Sequence, residues 1–354
     1  MSQPEYGRHI QFAGRTIHFS SLHLLFLVIG LAFLGQVLLS GGLQMGGGLL
    51  NAGGLESDAI WASGSSGPRT SFQGQYWWRG FTAMFLHVSL VHLLMNLWCL
   101  HTLGRLADQI YGPTRLLLVF LLSGLGGDIT TVVYENVFNP DQQTLGGVGA
   151  SGAVCGLLGL LLAHMRSRGD TIGDHVGRQL LQWSLMILVF GLIVPNVSNT
   201  AHGGGFVTGF ILARFLRVGH FDVVGGRSRE ERLVNIVTAL LCIITITALV
   251  IAALGAQDRL KDRRDLLLML RESTDAQQAI FKGQPRKASA AVGIIRKVRP
   301  RTDQINEVRD RLIAGLERGT LFDGGALNQA IENAYRALSE LDPDFLPPAL
   351  IDQQ

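Results

Sequence analysis

Apolar residues fill the first 254 positions in long blocks, separated by shorter polar stretches. About 20 mostly apolar residues suffice to cross a bilayer as a helix. The blocks at Leu22–Leu39, Leu90–Leu106, Arg115–Tyr134, Ala150–Met165, Leu180–Pro195, Thr200–Leu216 and Leu233–Leu254 therefore predict seven spanning helices. Several of them carry His, Asn or Ser, which a membrane tolerates only where such groups face other helices or water. Between the first two blocks lies a Gly- and Ser-rich loop, Gly41–Gln75, that ends in Tyr76-Trp77-Trp78-Arg79. Aromatics beside a cation suit a helix at the lipid–water boundary; a plain aromatic belt accounts equally well for Trp77.

After Leu254 the pattern changes. Asp265–Phe281, Lys287–Val298, Thr302–Leu316 and Ala326–Leu341 place apolar residues three and four apart, the period of amphipathic helices. Gly283, Pro285, Pro300, Gly324 and Gly325 break them. The stretch Ala334–Leu338 followed by Asp342-Pro343 is faintly similar to the second helix of a tetratricopeptide repeat. No second copy is found, so the tail reads as a small helical domain. The first 20 residues are polar, mixed in charge and unlike a cleaved signal or transit peptide. The expected organisation is an N-terminal cytoplasmic segment (1–20), a six-helix body (21–218, with an outer loop at 41–89), a linker and seventh helix (219–256), and a soluble helical domain (257–354).

Composition supports this division. The chain is 47% hydrophobic and 16% charged, with mean hydropathy +0.29, against about 25% charged residues in ordinary globular domains. Every basic residue before Asp258 is arginine, and the first lysine is Lys261. A net charge of +3, with no basic run interleaved with aromatics, argues against nucleic acid as a partner. Cys99, Cys155 and Cys242 each lie in an apolar block and form no CxxC pair. Buried packing is their expected role, and neither a metal nor a cofactor is expected. Arginines flank alternate loops, which fits a cytoplasmic N-terminus and, after seven spans, an outer tail. Arg259, Lys261, Arg263 and Arg264 directly after the last block cut against that assignment.

Two motifs carry candidate chemistry. Gly149-Ala150-Ser151-Gly152 opens the fourth block, and Ala201-His202-Gly203-Gly204-Gly205 stands near the start of the sixth. Span counting puts both starts at the same face, so Ser151 and His202 lie at similar depth. Gly152, Gly156, Gly159 and Ala163 share one helical face; Gly205 and Gly209 share the face of His202. Small residues let helices approach closely in lipid. That packing alone explains the glycines but not why a serine and a histidine head the two seams. A serine needs a base to become a nucleophile, and histidine titrates near neutrality. No acidic third member stands out, so a Ser–His dyad is expected. Attack on an amide also requires fixed donors for the oxyanion. The backbone N–H groups around Ala150 and Ser151 at the helix N-terminus are candidates. So are His92 and Asn96, four apart on one helical face. Mutual hydrogen bonding or loop anchoring is the competing reading for these two, and the favoured one for His87.

Taken together, Gly149–Gly152, Ala201–Gly205 with Gly209, His87-x4-His92-x3-Asn96 and Trp78-Arg79 resemble the rhomboid family of intramembrane serine proteases, over roughly Trp78–Arg217. The resemblance implies an all-α fold: a polytopic membrane bundle with a six-helix core, here extended by a seventh helix and a soluble tail. It implies Ser151 as nucleophile, His202 as general base, and His92 and Asn96 as oxyanion donors beside the backbone at Ala150 and Ser151. Trp78 and Arg79 become structural parts of the first loop. The implied substrates are transmembrane proteins cleaved in or near their helices. The N-terminus, unlike a transit peptide, makes a bacterial inner membrane the expected compartment. The tail is the candidate for substrate recruitment or self-association. A relative that binds client helices without cutting them is the alternative. Two positions depart from the family pattern. Cys155 stands where an aromatic often packs on the histidine, and Asp108 stands where a longer acid is frequent.

Overall fold

The structure, a computed structural model, describes residues 8–12, 15–44, 52–67, 71, 76–138, 147–168, 175–194, 197–218, 229–319 and 324–341. It is a helical membrane protein. Its described residues fall into two compact units, one ending at Ala253 and the other beginning at Leu254.

The first unit opens with a short antiparallel pair, β1 (Arg8–Phe12) and β2 (Arg15–Phe19), in which Arg8 faces Phe19 and Phe12 faces Arg15. No element is expected there from the sequence. The pattern of single Ile and Phe residues set among polar neighbours is too short to stand out. Helix α1 (Ser21–Ser40) follows, started by a capping box between Ser20 and His23 and closed by Gly41 in the left-handed region at φ 77°. Leu22, Leu25, Ile29, Phe33 and Gln36 form its buried face, while Leu24, Leu27, Leu31, Leu34 and Leu38 are exposed. Exposed leucine on this scale is what hydrocarbon, not water, accommodates. The loop after α1 contains α2 (Ser57–Ser63) and the single turn α3 (Arg79–Thr82), which runs into a tight 3-10 turn at Ala83–Phe85.

The remaining spans are α4 (Leu90–Tyr111), α5 (Pro113–Phe138), α6 (Ser151–Arg168), α7 (His175–Ile193) and α8 (Asn199–Leu212), each overlapping its predicted block. Of the described helices, α1, α5 and the last span are long and apolar enough to cross a membrane by composition alone. Helix α6 is buried on all sides from Gly152 to Leu161, the signature of a central helix. It packs against α4, α5, α7 and α8. Helix α8 ends at Leu212, four residues before the predicted end, and the chain continues in turns through Leu216.

The largest departure is α9 (Arg229–Phe281), a single helix of 53 residues. The sequence pattern suggests a span and a separate tail helix beginning at Asp265. The stretch between them, 255–264, holds no proline and a single glycine, Gly255, which a helix tolerates at a cost of about 1 kcal/mol, so the helix runs through it. Its first part belongs to the bundle and the remainder to the second unit.

That second unit adds α10 (Pro285–Ile295), α11 (Asp303–Gly319) and α12 (Gly324–Leu341). Its core includes Leu266, Met269, Leu270, Ile295, Leu312, Leu316, Ile331 and Leu338. Among the cations that obscured the orientation of the tail, Lys261 takes part in this fold, as do the neighbouring acids Asp258 and Asp262. Lys261 Nζ donates to the Arg299 carbonyl at 2.6 Å, the Arg301 N–H donates to buried Asp262 at 3.0 Å, and the Arg301 side chain pairs with Asp258.

Candidate active site

Three helix starts converge at one end of the bundle. Ser151 is the first residue of α6, preceded by Gly149 at φ 130°. The Gly149 N–H donates to the Ala83 carbonyl at 3.0 Å, tying this turn to the first loop. A Cβ on Gly149 would fall 2.9 Å from Cε1 and 3.0 Å from Nε2 of His92, and 3.8 Å from Ser151 Oγ. The imidazole of His92 therefore lies against the glycine, whose other neighbour is the serine hydroxyl. Both the backbone angle and the lack of space demand glycine. Ala150 is fully buried, and its carbonyl accepts the N–H of Val154 at 2.9 Å, so it acts as the N-cap of α6. Among the described residues, none accepts the backbone N–H of Ser151.

His202 is the fourth residue of α8. Its Nε2 lies 2.8 Å from Ser151 Oγ, within hydrogen-bond reach. Its Nδ1 has no partner among the described residues. With the proton on Nδ1, Nε2 is free to accept the hydroxyl hydrogen, the arrangement that general-base action requires. The first turn of α8 is held by residues that the sequence motifs did not single out. Ser198 Oγ accepts the Ala201 N–H at 3.2 Å, and the hydroxyls of Thr131, Ser198 and Thr200 lie 3.0–3.2 Å from one another. Asn199 Nδ2 donates to the Gly191 carbonyl of α7 at 2.9 Å. The N-cap signature of Ser198 is readable in the sequence, but its junction with Thr131 of α5 is not.

Close contact between α6 and α8 fixes the depth of the pair. A Cβ on Gly205 would fall 2.0 Å from the Gly152 carbonyl oxygen, and one on Gly209 1.9 Å from that of Gly156. One on Gly159 would fall 2.2 Å from the Phe206 carbonyl oxygen. Cys155, one turn after Ser151, is buried in this central helix. Among the described residues no aromatic ring pairs with that of His202; the polar cluster at the start of α8 anchors to α5 the helix turn that carries it.

Helix α4 brings the remaining polar residues. Ser89 Oγ caps it by accepting the His92 N–H at 3.2 Å, and buried Asn96 donates from Nδ2 to the His92 carbonyl at 3.0 Å. The two expected donors are thus linked to each other, with the His92 ring and the second amide hydrogen of Asn96 not used in that link. His87 stands behind His92, its ring centroid 5.0 Å away and edge-on. It is fully buried, and its N–H donates to Gln36 of α1 at 3.0 Å. Burial first, and the neighbouring His92 second, lower the His87 pKa well below 6.5, against an opposing effect of the Phe85 backbone.

Trp78 and Arg79 are both buried within the protein. Arg79 is fully buried; its Nη1 donates to the carbonyls of Trp61 and Ser65 at 2.9 and 3.0 Å. Its guanidinium lies 4.6 Å from the ring centroid of Trp61 and 5.0 Å from that of Trp78. Trp78 packs with Ala248 and Ala252 of α9. The guanidinium thus faces carbonyls and rings inside the loop, as a structural residue of that loop does.

Comparison with known proteins agrees in kind. Residues 74–218 match the model of the Rhomboid domain. Over 178 residues the chain is 32% identical to the rhomboid protease GluP of Bacillus subtilis (strain 168), covering 50% of this chain and 33% of GluP. It is 37% identical over 147 residues to RHOMBOID-like protein 6, mitochondrial, of Arabidopsis thaliana, covering 41% of this chain and 45% of that protein. It is 30% identical over 157 residues to YdcA of Bacillus subtilis, whose name also places it among the rhomboids, covering 44% of this chain and 76% of YdcA. The chain thus spans less than half of the first two relatives and three quarters of the third.

Proposed function

The chain belongs to the rhomboid family, and from that premise we propose that it is an intramembrane serine endopeptidase acting on transmembrane proteins through Ser151 and His202. The observation that carries this reading is the 2.8 Å contact between a serine hydroxyl and an imidazole at the starts of two packed helices.

The chemistry follows from that geometry. The Ser151 Oγ–H proton passes to His202 Nε2 as Oγ bonds to the carbonyl carbon of the scissile peptide. The carbonyl becomes a tetrahedral oxyanion. Candidate donors to it are the Ser151 N–H, at the positive end of α6, the His92 ring and the second Asn96 amide hydrogen. As the C–N bond breaks, protonated His202 gives its proton to the departing amine. A water then attacks the acyl ester, His202 takes its proton, and the serine is regenerated. A substrate must present an extended backbone, because a helical carbonyl is already hydrogen-bonded and sterically shielded. Substrates whose spans unwind easily near one end are therefore expected. We also place the chain in a bacterial inner membrane; the arginine distribution favours a cytoplasmic N-terminus and a tail on the other side.

Cleavage of a single-span reporter protein by wild type and by Ser151→Ala, at matched expression, tests the assignment. Loss of cleavage and of fluorophosphonate labelling in the variant is expected. Equal cleavage by both proteins removes Ser151 from the reaction.

A further inference from the structure

At the end of the bundle opposite Ser151, helices α4 and α7 border a cavity of about 320 Å³. Arg105, His101, Thr102 and Gln109 line it from α4, and Gln179 and Trp183 from α7, over a floor of leucines. The spacing explains the convergence. His101, Arg105 and Gln109 are four apart on one face of α4, and Gln179 and Trp183 four apart on one face of α7. Arg105 lies 13 residues beyond His92, about 20 Å along the helix at 1.5 Å per residue. Gln179 is within the first turns of α7, which begins at His175. The cavity thus opens where both helices reach the membrane boundary. On its bilayer side the rings of Trp98 and Trp183 meet edge-on, with centroids 4.8 Å apart.

Its chemistry is one-sided. Arg105 is exposed and, among the described residues, makes no ion pair or hydrogen bond. Asp108, one turn on, does not line the cavity. Among the described residues no carboxylate lines it, and the polar side chains that do are cationic or able to donate. The leucine floor and the indole of Trp183 offer apolar contact directly beside these donors. The volume is at the small end for ligand sites and too narrow for a helix about 10–12 Å across, so a substrate span is not its occupant. Basic pockets between spanning helices bind anionic lipid headgroups, and tryptophan favours the same boundary. We propose that this cavity is a binding site for the phosphate headgroup of an anionic phospholipid, held by Arg105 with its glycerol and upper chains against Trp183 and the leucines.

The proposal does not depend on proteolysis and is tested on the full chain carrying Ser151→Ala, purified in a neutral detergent. Native mass spectrometry follows retention of dioctanoyl phosphatidylglycerol, dioctanoyl phosphatidylcholine and glycerol phosphate. Retention of the phosphatidylglycerol alone is expected. Arg105→Gln is expected to weaken it about fivefold, the contribution of one cation beside an anionic headgroup, and Arg214→Gln to leave it unchanged. An unperturbed thermal unfolding midpoint shows that the Arg105 variant is folded; the exposed, unpaired side chain gives no reason for it not to be. Equal retention by Arg105→Gln, equal retention of phosphatidylcholine, or glycerol phosphate binding as well as the lipid would each overturn the assignment.

Discussion

Substituting Gly205 by alanine tests whether the seating of α8 on α6 sets the reactive geometry. The added Cβ would lie 2.0 Å from the Gly152 carbonyl oxygen. Ordinary contact begins at 3.4 Å, so the helices must part locally by about 1.4 Å. Neither neighbour can give way, because the obstruction is backbone in the first turn of α6. Overpacking of this kind costs about 1–3 kcal/mol. His202 is one turn away on the same face, so most of the displacement is transmitted to it. A hydroxyl–imidazole contact of 2.8 Å stretched by about 1 Å passes the 3.5 Å limit of a hydrogen bond. Misplacement on that scale costs about 10²-fold in rate. Gly203→Ala is the control: it lies on the same helix with nothing within 4 Å of the added atom, and alanine there gains up to about 1 kcal/mol of helix propensity. The assay is the rate of fluorophosphonate labelling of Ser151 together with kcat/KM on a reporter substrate in liposomes. Gly205→Ala is expected to fall about 10²-fold in both and to unfold earlier, while Gly203→Ala stays within a few-fold of wild type. Equal labelling rates in the two variants would refute the view that helix separation controls the pair.

Removing the buried guanidinium with Arg79→Met is expected to lower the thermal unfolding midpoint, because the Trp61 and Ser65 carbonyls lose their donor at about 1–3 kcal/mol for each unsatisfied group. Unchanged unfolding would show that the first loop does not rely on that cation. His92→Ala is expected to reduce kcat about 10²–10³-fold at nearly constant KM, as loss of an oxyanion donor does; Asn96→Ala, whose amide already donates to the His92 carbonyl, is expected to cost less. For His87 the folded state holds the pKa well below 6.5, so the unfolded chain binds more protons between the two values. Its contribution is therefore present above pH 6.5 and is lost as pH falls through the lower folded value. Thermal unfolding midpoints should drop on acidification below pH 6.5 in wild type and drop less in His87→Gln; parallel acid profiles would contradict this.

Local periodicity exposed most of the bundle to a reading of the chain, because a spanning helix must satisfy its own backbone and clothe itself in apolar residues. Ser151, His202 and the glycine faces were legible for the same reason: they mark helix starts and helix faces, which are local features. What escaped was contact between distant segments. Thr131 carries no motif, yet its hydroxyl meets those of Ser198 and Thr200 across a separation of 67 and 69 residues. Trp78 meets Ala248 and Ala252 of the seventh span by way of two alanines that look like any others in an apolar run. The partners of Arg79 were equally hidden. Beside three aromatics an arginine reads as an anchor at the lipid boundary, since leaving the cation in water is the cheaper choice. Here two backbone carbonyls and the faces of Trp61 and Trp78 replace that water. A charge is buried to fix the loop, and the same loop accepts the Gly149 N–H through Ala83. The serine turn is thus tied to residues distant from it in sequence, on a loop whose composition suggests only flexibility.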